Sequence, residues 1–214
     1  RLDSRLPAVW DYHAFNMEYN ISSLFPTPQD RWLWVSKGMR MLRDEAIPCN
    51  PGEVLLYDRL CRIYLQKMVS HGDPARDFYR FAWAREMDGI LHGPAPDYKA
   101  IAADPRKDRQ LADAYKLDPK VMIEADRLYG PLDWRLPESH AIYWAMRGIG
   151  AGGGRADPVF DGMICEAMSE SCLHGRVVDL RPDDGVLATD MREDLVDRTR
   201  SVFLSAAQFI LSHS

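Results

Sequence analysis

The fold of this chain is decided by residues 53–91, which read EVLLYDRLCRIYLQKMVSHGDPARDFYRFAWAREMDGIL. Apolar residues recur every three or four positions on both sides of His71-Gly72, which is the spacing of one face of a helix. Because a glycine and a proline lie between the two patterns, we expect two helices joined by a short loop. Asp73 is expected to cap the second helix, with Pro74 at its first position. The stretch therefore predicts a helical hairpin.

The same period continues along the chain, whereas strict alternation over the length of a strand is rare. We therefore predict an all-α fold of about eight helices, in which residues 1–214 form a single helical-repeat-like domain. A small β-hairpin is predicted only near 176–188, where Val177-Val178 and Val186-Leu187 flank a Pro-Asp-Asp-Gly turn. Residues 148–154 are rich in glycine, and we expect a break there that acts as a hinge or a loop.

The hairpin of residues 53–91 also follows the pattern of a repeat of about 34 residues. Small residues at fixed places let two helices approach closely, and aromatic side chains fill the gaps beside them. The second helix is displaced by two residues, so the connecting loop must be longer than in a standard repeat. The pattern residues are Tyr57, Leu60, Cys61 and Tyr64 in the first helix, and Ala75, Tyr79 and Ala82 in the second.

On these residues the sequence resembles the tetratricopeptide-repeat superfamily, and more closely a group of largely uncharacterised bacterial repeat-like proteins. The resemblance implies an α-helical superhelix that binds other proteins, and it brings no known reaction with it. Relatives in this group tend to carry an upstream hydrophobic segment, so the resemblance also implies the body of an anchored protein of the cell envelope. Its motifs are Trp10-Asp11 to Asn20, Arg31-Trp32 to Asn50-Pro51 with Leu42-Arg43-Asp44-Glu45-Ala46, Tyr57 to Met68, Tyr129 to Arg135, and His140 to Ala145.

The composition is that of an ordinary globular protein, with 46% hydrophobic and 28% charged residues. A net charge of −5 argues against nucleic-acid binding, which requires a clustered basic surface. No apolar run reaches the roughly 20 residues that a membrane-spanning helix needs. The chain starts with Arg instead of Met, so membrane contact is expected only through an upstream segment.

No motif in the sequence indicates a metal or a cofactor. The four cysteines form no C-x-x-C pair and the six histidines form no H-E-x-x-H pattern, which disfavours zinc and covalently attached haem. Gly148, Gly150 and Gly153 satisfy G-x-G-x-x-G, but they follow a predicted helix, whereas a dinucleotide-binding motif follows a strand. We therefore expect no bound cofactor.

The densest group of polar and aromatic residues surrounds the start of a predicted helix at Pro137. Asp133 and Arg135 flank Trp134 in the preceding loop, and His140 lies on the first turn of the helix. One interpretation is a salt bridge that clamps the loop while the indole fills the core. The alternative is a small polar pocket formed by Asp133, Arg135 and His140, which would make the protein a small-molecule binder or an enzyme. No nearby nucleophile or second acid supports catalysis, so we expect no enzymatic activity.

The leading functional hypothesis is a non-catalytic scaffold that binds another protein or a peptide segment. Its groove is expected to be lined by Tyr57, Arg62, Trp83 and Trp144. Basic residues on the neighbouring helices form either a solvated face or, if they converge, a clamp for an acidic peptide. These residues are Lys37, Arg40, Arg43, Arg59, Arg62 and Lys67.

A further hypothesis concerns the last predicted helix, from about Met191 to Leu211. It contains the most apolar stretch of the chain, Val202 to Leu211, which indicates a helix that is either buried or partner-facing. The protein would then be a structural subunit that docks by this helix, and a homo-oligomer is one form such an assembly can take.

Overall fold

The computed structural model describes residues 5–103, 111–154, 157–180 and 187–213. These residues are mostly helical and include one small antiparallel sheet, which confirms the all-α prediction and the small hairpin. Eight long helices and two short helical stretches are present in this part of the chain, against about eight helices expected.

Each of the first two helices continues beyond its α-helical part into a π-helical segment. Thr27 caps the second helix as its sequence predicts, since its hydroxyl oxygen accepts a hydrogen bond from the backbone nitrogen of Asp30 at 3.1 Å. Helix α1 spans Pro7–Phe15 and continues through Asn16–Ile21 and Ser22–Leu24, and helix α2 spans Pro28–Met41 and continues through Leu42–Ala46 and Ile47–Cys49.

The predicted hairpin is present as α3 (Val54–Arg62, continued by a π-helical segment, Ile63–Val69) and α4 (Arg76–Leu91). Helix α4 begins at Arg76, two residues later than predicted, and it is preceded by a turn that contains Asp73. Its carboxylate accepts a hydrogen bond from the backbone nitrogen of Ala75 at 2.9 Å and from Lys67 Nζ at 2.8 Å. Asp73 therefore ties the loop to the end of α3, and the helix starts only after this turn.

The second half of the chain contains four long helices, and three of them begin with a proline, as their sequences predict. Asp118 and Asp157 cap the helices that follow them by accepting backbone hydrogen bonds. The elements are α5 (Tyr98–Ala103), a helical stretch at 111–115, α6 (Pro119–Tyr129), α7 (Pro137–Ala151), α8 (Pro158–His174) and α9 (Val196–His213).

The small sheet pairs β1 (Arg176–Asp179) with β2 (Ala188–Asp190) in antiparallel orientation, and Val177 lies opposite Thr189. The predicted turn at 182–185 lies outside the described residues. Helix α9 starts at Val196 and not at about Met191 as predicted. Strand β2 ends at Asp190, and a 3₁₀ turn, Glu193–Leu195, comes directly before the helix.

The core is built around α7, which packs against both α3 and α8. Trp83, Trp134 and Trp144 are fully buried within it. The α3–α7 contact joins helices that are far apart in the sequence. In a linear solenoid each repeat contacts mainly the repeats next to it in the sequence. A contact between α3 and α7 is not expected from that arrangement.

The prediction of a break over the whole glycine-rich stretch 148–154 was wrong, because its first four residues are helical. Helix α7 continues to Ala151, and Gly148 within it lies against Phe160 of α8. A Cβ atom at Gly148 would overlap the ring of Phe160. This glycine therefore serves close helix packing, and the chain turns only at Gly152–Gly154.

Candidate binding surfaces

The predicted Asp133–Arg135 pair forms a salt bridge that fastens the loop before α7. Arg135 donates from Nε and Nη2 to the two carboxylate oxygens of Asp133, at 2.9 and 2.7 Å. Arg135 also pairs with Asp88 of α4 at 3.3 Å, and Asp133 accepts a hydrogen bond from the backbone nitrogen of Val177 in β1. The Asp133 hydrogen bond raises the pKa of Arg135. The pair thus joins the loop to α4 and to the sheet.

His140 is buried among aromatic rings and does not face solvent. Its Nε2 atom is 2.9 Å from the carbonyl oxygen of Trp134, and its ring stacks on Tyr64 at a centroid distance of 5.5 Å. Trp83 meets the imidazole edge-on at 4.8 Å. Burial lowers the pKa of His140 to about 3, so the ring is neutral at physiological pH. The imidazole is a packed core group with one backbone partner.

The structure therefore gives Asp133, Arg135 and His140 intramolecular partners, and it buries Asp133 and His140 to 4% and 1% exposure. The cavities described below are lined by other residues. This arrangement agrees with the clamp interpretation. A ligand pocket at these three residues stays a prediction without a cavity to support it.

The four residues predicted to line one groove do not lie together. Tyr57 and Trp144 are neighbours, with ring centroids 6.2 Å apart. Trp83 is fully buried against Tyr64 and His140, and Arg62 lies on another part of α3, where it pairs with Asp58 at 2.8 Å. Only the Tyr57 and Trp144 half of the predicted groove borders a cavity.

The predicted basic stripe does not converge on one site, because almost every member has its own acidic partner. Lys37 differs, since its ammonium group lies 5.0 Å from the ring centroid of Trp34. The ion pairs are Arg40 with Glu86, Arg43 with Asp44, Arg59 with Asp11, Arg62 with Asp58, and Lys67 with Asp73.

Two adjoining cavities of about 510 and 480 Å³ form a trough beside Tyr57. We call this the Tyr57 trough. Tyr57, Pro51, Lys120 and Arg147 line both cavities. The first cavity is also lined by Arg43, Ile47, Pro48, Ala112, Lys116, Leu117, Asp118, Pro119 and Trp144, and the second by Val121, Glu124, Met146, Gly150 and Ala151.

Three of the four cations that line the Tyr57 trough were not predicted from the sequence: Lys116, Lys120 and Arg147. They lie on different elements, and only the packing of α6 beside α7 brings them to one cavity. One signal was available in the sequence. Arg147 is the only charged residue between Ala141 and Ala151, and a lone charge in an apolar helix indicates a position with a specific partner or ligand.

The second candidate surface is the outer side of α9. Phe203, Leu204 and Ile210 are 45–55% exposed, and Ala207 between them is also exposed. We call these four residues the α9 ridge. Two cavities of about 500 Å³ each lie beside α9, one against α6 and α8 and the other against α8 alone. Phe203, Ala207 and Ile210 line the second one together with Gly162 and Cys165 of α8.

The described residues give no support for a metal centre or a membrane-spanning helix. No group of three or more His, Cys, Asp or Glu side chains is placed to hold a metal ion in this part of the chain. Among the described helices, none combines the length and the apolar character needed to cross a membrane. All four cysteines are free thiols.

Comparison with protein-family models, with curated proteins and with solved structures found no significant match to this chain. Proposals about its function therefore rest on the two surfaces described above.

Proposed function

We propose that this protein is a non-catalytic helical scaffold that binds another protein through the α9 ridge. The observation that carries the proposal is the exposure of Phe203, Leu204 and Ile210, three large apolar side chains on one helix. Positions 203, 204, 207 and 210 follow the spacing of one helical face. A surface helix normally turns charged residues to solvent, so an apolar outer face favours a partner that covers it.

The charge distribution supports the same proposal. Residues 201–212 of α9 contain no charged side chain, although 28% of the residues in the chain are charged. The exposed face of α9 itself therefore brings no charge that an approaching apolar surface would desolvate, and the charges beside it are Asp161 and Glu166 on the α8 side of the groove. Because each of the three side chains is already about half covered, complete burial adds roughly 1 kcal/mol for each one.

The partner that suits this surface is the apolar face of a helix. The groove beside the ridge is lined by Gly162 and Ala207, whose small side chains allow another backbone to approach closely. An amphipathic helix that lies in such a groove is a common mode of protein recognition. The alternative occupant is a second copy of this chain. The mass of the purified protein in solution distinguishes a homodimer from a monomer that awaits another partner.

We further propose that α3 and α4 form a hairpin of the tetratricopeptide type within the scaffold. The support is the burial of the pattern residues, of which Tyr57, Leu60, Cys61, Tyr64, Ala75 and Tyr79 are at most 4% exposed. Because Trp83 and Trp144 are also buried, the partner surface is placed on α9 and not on the groove expected from the sequence.

The test is site-specific photo-crosslinking from position 204 of the full chain in its native host, followed by reconstitution with the purified crosslinked protein. We expect one stoichiometric partner, and we expect Leu204→Asp to weaken the reconstituted complex by about tenfold or more. The matched control is Leu33→Asp, because Leu33 on α2 is 63% exposed and lies outside the ridge. The Leu33→Asp variant should bind the partner with the same affinity as the unsubstituted chain.

Three results would contradict the proposal: no stoichiometric crosslink from position 204, equal weakening by both aspartate substitutions, or a crosslink to this chain alone. Light scattering of the purified chain separates the last case, since a dimer has twice the mass of the monomer.

A further inference from the structure

The Tyr57 trough has an uneven distribution of charge along its length. Its first cavity is lined by Arg43, Lys116, Lys120 and Arg147, and the one acid there, Asp118, uses its carboxylate to cap α6. The second cavity shares Lys120 and Arg147 with the first, contains one acid, Glu124, which pairs with Arg127, and is otherwise lined mainly by apolar groups. Positive charge is therefore concentrated in the first cavity, and the second is the more apolar of the two.

The cations of the trough lack the acidic partners that most arginines of this protein have. Lys116, Lys120 and Arg147 make no ion pair with any carboxylate in the described part of the chain. Arg43 pairs with Asp44, but its Nη1 atom is buried and has no hydrogen-bond partner among the described residues. A buried donor without an acceptor costs free energy, so the charge of Arg43 is only partly compensated by Asp44.

A hydrogen-bond network joins the Arg147 side chain to the backbone of Lys116 before any ligand binds. The Tyr143 hydroxyl donates to the carbonyl oxygen of Lys116 at 2.9 Å and accepts from the backbone nitrogen of Asp118 at 2.8 Å. Arg147 Nη1 donates to the same hydroxyl at 3.2 Å. Tyr143 thus positions the Arg147 guanidinium beside the turn that carries Lys116, and a positioned donor reduces the entropy lost on binding. The Lys116 ammonium group donates to the carbonyl oxygen of Asp113 at 2.7 Å.

The walls of the trough indicate the rest of the ligand. Tyr57 and Pro51 connect the two cavities, and Val121, Met146 and Ala151 line the second one. Each cavity has a volume within the range of about 300–1,000 Å³ that is typical of small-molecule sites. An ion without an apolar body would leave this second cavity unused.

We propose that the Tyr57 trough binds a small amphiphilic carboxylate, whose carboxylate lies between Arg147 and Lys116 and whose apolar body extends toward Met146 and Ala151. Arginine and lysine donors form charge-assisted hydrogen bonds with a carboxylate. Lys116 and Arg43 line only the first cavity, which favours placing the carboxylate at that end. The site is separate from the α9 ridge, so this proposal does not depend on the partner proposed above.

The test is calorimetric titration of the full chain with decanoate, with decanol as the neutral analogue and acetate as the headgroup alone. We expect saturable 1:1 binding of decanoate that is about tenfold or more tighter than that of either analogue. Arg147→Gln and Lys116→Gln should each weaken decanoate about tenfold, and Arg147→Lys should retain part of the affinity. The control is Lys99→Gln, which removes an exposed lysine of α5 far from the cavity lining and should change nothing.

A second variant examines the apolar end independently of the charges. Ala151→Phe fills the second cavity and should weaken decanoate more than butyrate, whose shorter chain does not reach it. Circular dichroism of each variant confirms that the helices are retained.

The proposal is overturned if decanoate and decanol bind equally, if acetate or inorganic phosphate binds as tightly as decanoate, or if Arg147→Gln behaves like Lys99→Gln in a folded protein. Tighter binding of a short apolar peptide with a free C-terminal carboxylate would also overturn it, because the ligand would then be a polypeptide.

Discussion

At the scale of single residues, the buried charges of this protein differ in whether they have a partner. Arg43 and Lys67 lie in π-helical segments and pair with Asp44 and Asp73. Glu18 lies in the π-helical segment of α1 and is fully buried, yet neither carboxylate oxygen has a hydrogen-bond partner among the described residues. Burial raises the pKa of Glu18 to about 8, although Arg59 and Lys67 oppose the shift. This carboxyl is therefore mostly protonated at neutral pH.

The first prediction follows from the pKa of Glu18. The folded state holds this proton up to about pH 8, whereas the unfolded chain releases it near pH 4.5, so stability should fall as the pH rises between these values. Glu18→Gln removes the titration and should flatten this part of the stability curve. Urea unfolding between pH 5 and pH 8 measures the slope.

Glu45→Gln is the matched control, because Glu45 is an exposed residue of the π-helical segment that extends α2. This variant should keep the slope of the unsubstituted protein. An equal slope in the Glu18→Gln protein would show that other groups cause the pH dependence.

At the scale of elements, α7 shows how one helix serves both packing and a binding surface. Gly148 lets Phe160 approach its backbone, and Arg147, the preceding residue, lines the Tyr57 trough. Gly150 has open space where a Cβ atom would lie. A side chain at position 148 would therefore collide with Phe160, whereas position 150 has room for one.

The second prediction compares these glycines. Gly148→Ala places a methyl group against the buried ring of Phe160 and should destabilise the protein by about 1–3 kcal/mol through overpacking. Gly150→Ala should instead stabilise it by about 0.5–1 kcal/mol, because alanine favours a helix. Thermal and urea unfolding of both variants measures the difference, and an equal response would contradict the close packing of α7 with α8.

At the scale of the whole molecule, a buried ion pair connects three helices. Arg80 of α4 lies with its Nη1 atom 2.5 Å from Glu138 Oε1 at the start of α7, and it donates from Nη2 to the carbonyl oxygen of His174 at the end of α8. The two side chains are 4% and 1% exposed. Such a pair specifies how the helices meet, since either charge alone would be buried without compensation.

The third prediction concerns the loss of this pair. Glu138→Gln leaves the Arg80 guanidinium buried without its counterion and should destabilise the protein by about 3–5 kcal/mol. Glu124→Gln, which breaks an exposed pair with Arg127, should not change the unfolding midpoint measurably. Urea unfolding of both variants measures the two effects, and similar midpoints would contradict a structural role for the buried pair.

How much of the fold was predictable differed between elements. Thr27-Pro28, Asp118-Pro119 and Asp157-Pro158 marked helix starts correctly, because capping depends on a few adjacent residues. Asp73-Pro74 carries the same signal, and Asp73 accepts the backbone hydrogen bond of Ala75, but the helix begins only at Arg76. The candidate groove was predicted only in part: Tyr57 and Trp144 border the trough, whereas burial of Trp83 depends on residues distant in the chain.

The sequence by itself determined the all-α class, the starts of most helices and the apolar character of α9. These properties follow from local periodicity and capping, which involve residues within a few positions of one another. Only the tertiary structure decided that α3 packs on α7, that Gly148 is a packing contact, and that Lys116, Lys120 and Arg147 share one cavity. Those outcomes depend on which helices meet, and one-dimensional periodicity identifies the apolar face of a helix without identifying the helix that covers it.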